Sequence, residues 1–481
     1  MSTINFRSVL KITGLVLMIS AISFSLCIPV AFIYEEPILP FILALISAGL
    51  PGTLLYILIK TPITQKVSGR EGYLSVTLGW LALVLSGMLP YVFTGEIKGF
   101  TNMLFESVSG YTTTGASILT DIEKLSKSVL FWRSLTHWIG GIGIILLVII
   151  ILPSLKVGGY NLFSMESSLK EKILPRTKTI ARTVLLIYLG LTVAETVMLT
   201  AGGMNLFDGI CHSFGTIATG GFSTRNTSIA GYSGYIQYVI AAFMFLSATS
   251  YVVFYFIIKR AFSRVSANEE FWFYIFFTTA AVVSVTLILY TGTERDFEES
   301  FRHSLFQVIS TITTTGYATS DYTQWPVAAY VLIFFLIFAG GSTGSTTGGI
   351  KMARHLISLK NLRNVTVRLQ HPNAVIPVKL NGQIVPDNIN SLMTVFIQLF
   401  ILFFIAGMMI MILSGIPAIE AAGASAASLA CVGPGMGASG NLGNFAHFNG
   451  TAQITMVLLM IIGRLEIFTI LAVFTKSFWK K

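Results

Sequence analysis

Nine apolar runs, each close to the length of about 20 residues that a helix needs to cross a bilayer, constrain the fold of this chain. Only 11% of its 481 residues are charged and 54% are hydrophobic, whereas soluble proteins carry about 25% charged residues. The sequence therefore predicts an all-α polytopic membrane protein. The runs cover roughly residues 10–33, 39–59, 73–94, 129–152, 183–202, 234–258, 271–290, 389–415 and 452–475, and a tenth, 326–340, stops at a glycine-rich segment.

The distribution of charge predicts the orientation of the chain. The net charge is +10, and basic residues concentrate in alternate loops, chiefly 153–182 and 351–379, and at the carboxyl end. The loops between them are acidic or mixed, as at Glu35, Glu36 and residues 294–302. Because loops rich in Lys and Arg face the cytoplasm, we expect a multi-pass protein of the cell (inner) membrane with both termini cytoplasmic. This pattern assigns the positive charge to topology and favours no nucleic-acid partner.

A short stretch containing threonine and glycine recurs four times. Thr112–Gly115 is followed by Ile217–Gly220, by Thr313–Gly316 and, most loosely, by Ala430–Gly433. Each follows a segment of about 12 residues, which as a helix is about 18 Å long and cannot cross the membrane, so it must re-enter. Non-helical backbone within a membrane must be buried in protein or line water. Four such hairpin tips can meet this condition together by converging on one axis.

Five motifs surround these stretches: Gly110–Ala116, His137–Gly141, Ala218–Thr224, Thr313–Tyr317 and Gly340–Lys351. Together they resemble the TrkH members of the Trk/Ktr/HKT superfamily of potassium-transporting proteins, and the resemblance covers nearly the whole chain. It implies four pore units around one central pore, K⁺ as the transported ion, and no cofactor. It also implies a homodimer and a cytosolic nucleotide-binding regulatory partner similar to TrkA.

The chain is expected to divide into an N-terminal helix pair and four pore repeats. Each repeat consists of a helix, a re-entrant pore helix with its filter loop, and a second helix. The expected boundaries are 1–70 for the helix pair, 71–176, 177–266, 267–380 and 381–481 for the repeats, with the glycine-rich segment in the third.

The four stretches have the composition of a selectivity filter. Rings of backbone carbonyls can replace the water shell of K⁺, glycine permits backbone angles that other residues avoid, and β-branched residues favour extended backbone. The alternative for any single glycine is close helix packing. In the resembling family a serine at the first filter glycine accompanies sodium preference, so Gly115 favours K⁺. We expect ion coordination, mainly by main-chain oxygens, from Thr113, Thr114, Gly115, Ala218, Thr219, Gly220, Thr314, Thr315, Gly316, Cys431, Val432 and Gly433.

The segment after the tenth run holds five glycines and five Ser or Thr residues. Since each interior glycine costs a helix about 1 kcal/mol relative to alanine, the segment is expected to be non-helical within the membrane. In the resembling family a loop here obstructs the pore and moves during gating, and a flexible packing kink is the alternative. The gate candidates are Gly340, Gly341, Ser342, Thr343, Gly344, Ser345, Thr346, Thr347, Gly348, Gly349 and, from the last span, Arg464.

Arg464 is the least expected residue of the last apolar run, because a charge at mid-membrane costs about 2.5–3.5 kcal/mol. On the resemblance, we expect it to place positive charge below the filter as a barrier to cations. An ion pair with Glu466 is the alternative. Lys351 is expected to anchor at the cytoplasmic interface.

Two other functions are compatible with the composition. A secondary transporter coupling K⁺ to H⁺ or Na⁺ would need a titratable group along the path, and the sequence singles out no carboxylate for that role. An intramembrane hydrolase would use Ser342 or Ser439 with His447, but neither a nucleophile elbow nor an H-E-x-x-H motif is present. A non-enzymatic function is therefore expected. His137, His212 and His303 are interpreted as packing or surface residues.

Overall fold

The computed structural model describes residues 4–60, 68–146 and 173–480. The described residues do not include Lys66, the end of the apolar run 129–152 or most of the predicted basic loop 153–182. The helices of the first half are α1 (Phe6–Ser25), α2 (Cys27–Ile33), α3 (Leu39–Leu58), α4 (Gly69–Gly87), α5 (Leu89–Thr94), α6 (Phe100–Tyr111), α7 (Lys127–Leu146), α8 (Ile173–Ala201), α9 (Leu206–Ile217), α10 (Gly234–Ser247), α11 (Tyr251–Ile258) and α12 (Phe262–Ser266).

The second half is also helical, apart from one two-stranded antiparallel hairpin between α16 and α17. Its elements are α13 (Glu269–Gly292), α14 (Phe297–Ile312), a 3-10 turn (Tyr322–Gln324), α15 (Val327–Leu336), α16 (Met352–Gln370), β1 (Lys379–Leu380), β2 (Gln383–Ile384), α17 (Asp387–Leu413), α18 (Ala418–Ala430), a second 3-10 turn (Gly437–Ser439), α19 (Gly450–Arg464), α20 (Phe468–Phe474) and α21 (Lys476–Trp479).

Six helical stretches in the described residues are long and apolar enough to cross a membrane. Two more apolar runs, predicted as continuous spans, are broken: α10 meets α11 at 92°, and α19 meets α20 at 107°. This architecture confirms the prediction of an all-α membrane fold. The six spans are Phe6–Ile33, Leu39–Leu58, Gly69–Thr94, Ala181–Ala201, Glu269–Gly292 and Asp387–Leu413.

Four of the helices, α6, α9, α14 and α18, are too short to span and have 12, 12, 16 and 13 residues. Their bounds lie within three residues of the re-entrant segments that the sequence predicts, which are 99–111, 205–216, 300–312 and 418–429. Asn205 and Asp296 cap the first turns of α9 and α14, where their side chains accept hydrogen bonds from backbone amides. Acidic residues in these first turns, such as Asp208, interact favourably with the positive end of each helix dipole.

The N-terminal helices α1 and α3 cross closely because both present glycine at the crossing. A side-chain carbon at Gly14 would lie 2.9 Å from Leu55 Cβ and 3.0 Å from the Gly52 carbonyl oxygen. Small residues allow membrane helices to approach in this way. α1 also packs on α4, and α3 packs on α5.

We expect Gly14→Ala to lower the stability of the protein, because overpacking a filled helix contact typically costs about 1–3 kcal/mol. Thermal unfolding of the detergent-purified protein would measure the loss. Gly190→Ala in α8 is the matched control, since a side-chain carbon there meets no described atom within 4 Å. A melting temperature that falls equally in both variants would contradict the packing argument.

Candidate functional site

The loops that follow the four short helices share one backbone shape. In each loop a non-glycine residue adopts positive φ, which is uncommon and sterically unfavourable, and a glycine with positive φ follows two positions later. The non-glycine residues are Thr113 (51°), Thr219 (55°), Thr314 (53°) and Cys431 (55°), and the glycines are Gly115 (79°), Gly221 (82°), Gly316 (83°) and Gly433 (97°).

This geometry corrects the predicted register of the second stretch by one residue. The structure places Gly221, and not Gly220, at the position of Gly115. Ala218 caps the end of α9, as Thr112 caps α6, so the matching residues are Thr219, Gly220 and Gly221. Two adjacent glycines left the alignment ambiguous in sequence. Gly220 is needed for another reason, because a side-chain carbon there would lie 2.5 Å from the His137 ring.

The four loops meet in a closed ring. A side-chain carbon at Gly115 would collide with the carbonyl oxygen of Gly220, and one at Gly221 with that of Thr315. The third loop meets the fourth in the same way, at Gly316 and Val432, and the fourth returns to the first, at Gly433 and Thr114. Each glycine thus admits the backbone of the next loop in chain order, and the loops are brought together around a common centre.

Each loop of this ring follows directly on the carboxyl end of its short helix. The end of an α-helix carries about half a negative elementary charge, so four such ends favour a cation at the centre. Among the described residues, no group of three or more His, Cys, Asp or Glu could hold a metal ion. The loops of the ring carry main-chain oxygens and, in the first three loops, threonine hydroxyls.

The glycine-rich segment Gly340–Gly349 lies against the base of the ring. The amide of Gly348 donates to Thr314 Oγ1 at 2.9 Å, and Thr219 Oγ1 donates to Thr346 Oγ1 at 3.2 Å. A side-chain carbon at Gly348 would collide with the Ala430 carbonyl oxygen. The segment therefore contacts the second, third and fourth loops.

The break between α10 and α11 holds the other side of this segment. The amide of Ser342 donates to the Ala248 carbonyl at 2.9 Å, and the amide of Tyr251 donates to the Gly344 carbonyl at 3.2 Å. Glu270 Oε1 accepts from the amide of Thr343 at 2.6 Å. The predicted run 234–258 is interrupted here because its backbone bonds to the segment instead of continuing its own helix.

Arg464 also binds this segment. Its side chain is buried, and it donates from Nη1 to the Thr346 carbonyl at 2.7 Å and from Nη2 to the Gly140 carbonyl at 3.1 Å. Glu466 forms its ion pair with Arg354, so the alternative of an Arg464–Glu466 pair is wrong. The residues lie at the break between α19 and α20, which turns the two side chains apart.

The expectation that Lys351 anchors at the membrane interface is also wrong. Its side chain is buried, and Nζ donates to Thr347 Oγ1 at 2.8 Å and to the Thr347 carbonyl. The ammonium group thus bonds back to a residue of the glycine-rich segment, four positions before Lys351 in the chain.

Sequence reasoning gave too little weight to His137. Its Nδ1 lies 2.7 Å from the Gly110 carbonyl oxygen, and Nε2 lies 3.1 Å from the Phe222 amide. Since that amide can only donate, Nε2 accepts, Nδ1 carries the proton and the imidazole is neutral. His137 therefore links the first short helix to the second loop. Its place four residues after Arg133, on the same helix face, was the available signal.

The outer loops carry a small polar cluster outside the membrane-spanning segments. Asp121 forms an ion pair with Lys124 at 2.8 Å and accepts from Asn226 Nδ2 at 3.3 Å. Hydrogen bonds from Lys124 and Asn226 hold the pKa of Asp121 below its ordinary value. The carboxylate is therefore charged at neutral pH and joins the outer loops of the first and second units.

Comparison with known proteins extends this geometry. The model of the TrkH family, described as cation transport protein, matches residues 40–481. The chain belongs to the TrkH family. It is 35% identical to the Trk system potassium uptake protein TrkH of Halomonas elongata over 486 residues, covering 99% of this chain and all of the relative. It is 38% identical to the protein of the same name from Escherichia coli over 427 residues, covering 86% and 87% of the two chains.

A solved structure shows the same fold. The crystal structure of the potassium transporter TrkH from Vibrio parahaemolyticus superimposes with a TM-score of 0.91 at 32% identity, covering 99% of this chain and all of that one. Membership of the TrkH family together with the apolar helices makes this chain a multi-pass membrane protein.

Proposed function

We propose that this TrkH-family protein is a potassium uptake pore that conducts K⁺, and Rb⁺, into the cell down the electrochemical gradient. The observation that carries the proposal is the closed ring of four loops at the carboxyl ends of four short helices. Relatives that the chain matches over most or all of its length are named potassium uptake proteins. The proposed function is transport and not catalysis, with K⁺ as the cargo and no cofactor.

The proposed filter uses the corrected register. A dehydrated K⁺ would be bound by carbonyl oxygens of each loop at matching depths. Ala218 leaves the set and Gly221 enters it. The fourth loop lacks threonine at its first positions, so its contribution comes from the main chain alone. The proposed coordinating residues are Thr113, Thr114, Gly115, Thr219, Gly220, Gly221, Thr314, Thr315, Gly316, Cys431, Val432 and Gly433.

The proposed gate is the glycine-rich segment together with Arg464. The segment lies directly against the ring, and its hydrogen bonds to Thr219 and Thr314 would have to break before it could withdraw. Arg464 holds a positive charge at the Thr346 carbonyl of the segment. A cation leaving the ring would therefore meet both an obstruction and an opposing charge.

The wider assembly is proposed from the same resemblance. Control of the gate is assigned to a cytosolic nucleotide-binding subunit similar to TrkA, and the protein is proposed to act as a homodimer. Both termini are placed in the cytoplasm and the protein in the inner membrane. The division into a helix pair and four repeats, with the boundaries given above, remains a prediction.

Coupled transport with H⁺ or Na⁺ is the second candidate, and one observation favours it. The carboxyl group of Glu195 is fully buried where α8 packs on α9, beside the Thr216 hydroxyl. This is the titratable group within the membrane that a coupled transporter requires. It lies behind the second short helix, however, and no described contact joins it to the ring, so we favour the pore. The hydrolase has no such support, since His447 pairs with Glu420 and Ser439 bonds to Met436.

The pore and the coupled transporter predict different results for Glu195→Gln. For a pore, ⁸⁶Rb⁺ flux into liposomes carries no fixed number of protons, and the variant keeps the wild-type reversal potential and pH dependence. Simultaneous recording of internal pH and Rb⁺ uptake makes the measurement. Stoichiometric proton uptake that disappears in Glu195→Gln would establish coupling in place of the pore.

Gly115→Ser should reduce the preference for K⁺ over Na⁺. The added side chain would collide with the Gly220 carbonyl and would have to be held at positive φ, which costs a non-glycine residue about 1–2 kcal/mol. Both effects displace a carbonyl of the ring. Reversal potentials under bi-ionic K⁺/Na⁺ conditions measure the change, with Gly190→Ser in α8 as control. An unchanged reversal potential in folded Gly115→Ser would count against the filter.

Arg464→Ala should raise the basal flux measured without the cytosolic partner, because it removes the opposing charge and two hydrogen bonds that hold the segment. Arg464→Lys keeps the charge but cannot reach both carbonyls, and should give an intermediate flux. Uptake of ⁸⁶Rb⁺ per folded protein is the readout. If Arg464→Ala conducts no more than the wild type, Arg464 is not a barrier.

A further inference from the structure

A fully buried ion pair lies behind the first filter loop. Glu106 in α6 and Arg133 in α7 are 0% and 1% exposed, and Arg133 Nε lies 3.2 Å from Glu106 Oε2. The other carboxylate oxygen of Glu106 accepts from the Ile118 amide at 2.8 Å and from Ser117 Oγ at 2.5 Å. Glu106 thus fixes the residues that directly follow the first filter glycine and its neighbour Ala116.

The guanidinium group of Arg133 continues this contact into the second loop. Nη2 donates to Ser117 Oγ at 3.3 Å, and Nη1 lies 3.5 Å from the Ser223 carbonyl oxygen, two residues after Gly221. The guanidinium carbon lies 4.1 Å from the centre of the Phe222 ring, a cation–π distance. The pair therefore spans the gap between the first loop and the second with a rigid, planar group.

At the position that matches Glu106, the other three short helices carry residues of different chemistry. Glu106 stands seven residues before Thr113, the positive-φ residue of the first loop, and the residues at the matching positions are His212, Gln307 and Ala424. His212 Nε2 lies 3.0 Å from Ser223 Oγ in its own loop, and Gln307 Oε1 accepts from Asn441 Nδ2 at 3.1 Å. His212 and Gln307 thus hold loops through hydrogen bonds, Ala424 cannot, and at this register only the first helix has an acidic residue.

Stability alone is a weak reason for such a pair. Removing two charges from water can cost more than their attraction returns, and well-packed apolar residues of similar volume are often as stable. Apolar residues could not form directional hydrogen bonds. The planar guanidinium group of Arg133 fixes three partners at set distances. The arrangement therefore acts on geometry, in this case the separation between the first and second loops.

We propose that Glu106 and Arg133 are positioning residues that determine ion selectivity by fixing the distance between the first and second filter loops. This inference rests on the proposed function. We call the Glu106–Arg133 pair the brace. With the brace in place, the carbonyl oxygens of Thr114 and Gly220 are held at the spacing that replaces the water shell of K⁺. Without it the two loops relax toward one another, and the ring accepts the smaller Na⁺ more easily. Neither side chain touches the ion.

The experiment compares four variants in planar bilayers under bi-ionic K⁺/Na⁺ conditions: Glu106→Gln, Arg133→Lys, the neutral double variant Glu106→Gln with Arg133→Met, and Ser134→Ala. The single variant Glu106→Gln leaves Arg133 charged without a counter-charge, so its conductance should fall. The double variant is neutral again and is expected to fold, and its conductance should recover. Ser134→Ala is the control, because Ser134 is buried beside Arg133 and bonds to the Leu130 carbonyl of its own helix.

The proposal expects the permeability ratio of K⁺ to Na⁺ to fall about tenfold, equivalent to about 1.4 kcal/mol, in the double variant and in Arg133→Lys. Lysine keeps the charge but not the fork, so a fall there separates geometry from charge. A wild-type ratio in the folded double variant, or in folded Arg133→Lys, overturns the proposal. A wild-type protein without K⁺ selectivity would instead overturn the proposed function, and this outcome is distinguishable because the wild type is measured first.

Discussion

Backbone groups that leave a helix inside a membrane must find partners within the protein, since hydrocarbon supplies none. The first and third loops of the ring meet this requirement with hydroxyl groups. Ser109 Oγ donates to the Ala116 carbonyl at 2.6 Å in the first loop, and Ser310 Oγ donates to the Tyr317 carbonyl at 2.7 Å in the third. These bonds join each loop to the helix that delivers it.

The glycine-rich segment satisfies its backbone by a different route. Its ends meet in a short parallel bridge between Ala339 and Ile350, and its middle bonds to the broken helix and to the hydroxyl groups at the base of the filter loops. Buried cations contribute too, because Lys351 and Arg464 donate to carbonyls of the segment. A segment held by many single hydrogen bonds, each worth only about 0.5–1.5 kcal/mol net, can be ordered and still be displaced.

The sequence predicted the spans and the four short helices well, because both follow from apolar length and from loop positions. The bounds of α6 and α9 differ by one residue from the predicted segments. It failed where partners are distant in the chain. The bends at α10 and α19, the bond from Arg464 to Gly140 across 324 positions, and the brace from Arg133 to Ser223 depend on tertiary contacts without local signature. The register error at Gly220 has another cause, since either of two adjacent glycines could take positive φ.

Each quarter of the ring consists of one short helix and its loop. Tyr317 shows that the four quarters are not interchangeable. At the position where the first and third short helices have serine, the second has Gly215, which supplies no hydroxyl group. Tyr317 of the third loop supplies it instead: its Oη donates to the Phe222 carbonyl at 3.2 Å and fills the space next to Gly215. A quarter transplanted to another position would bring the wrong donor or a steric clash. The four loops thus share a backbone outline but differ in side-chain chemistry. The proposed filter is therefore asymmetric, with side chains of different chemistry in each quarter.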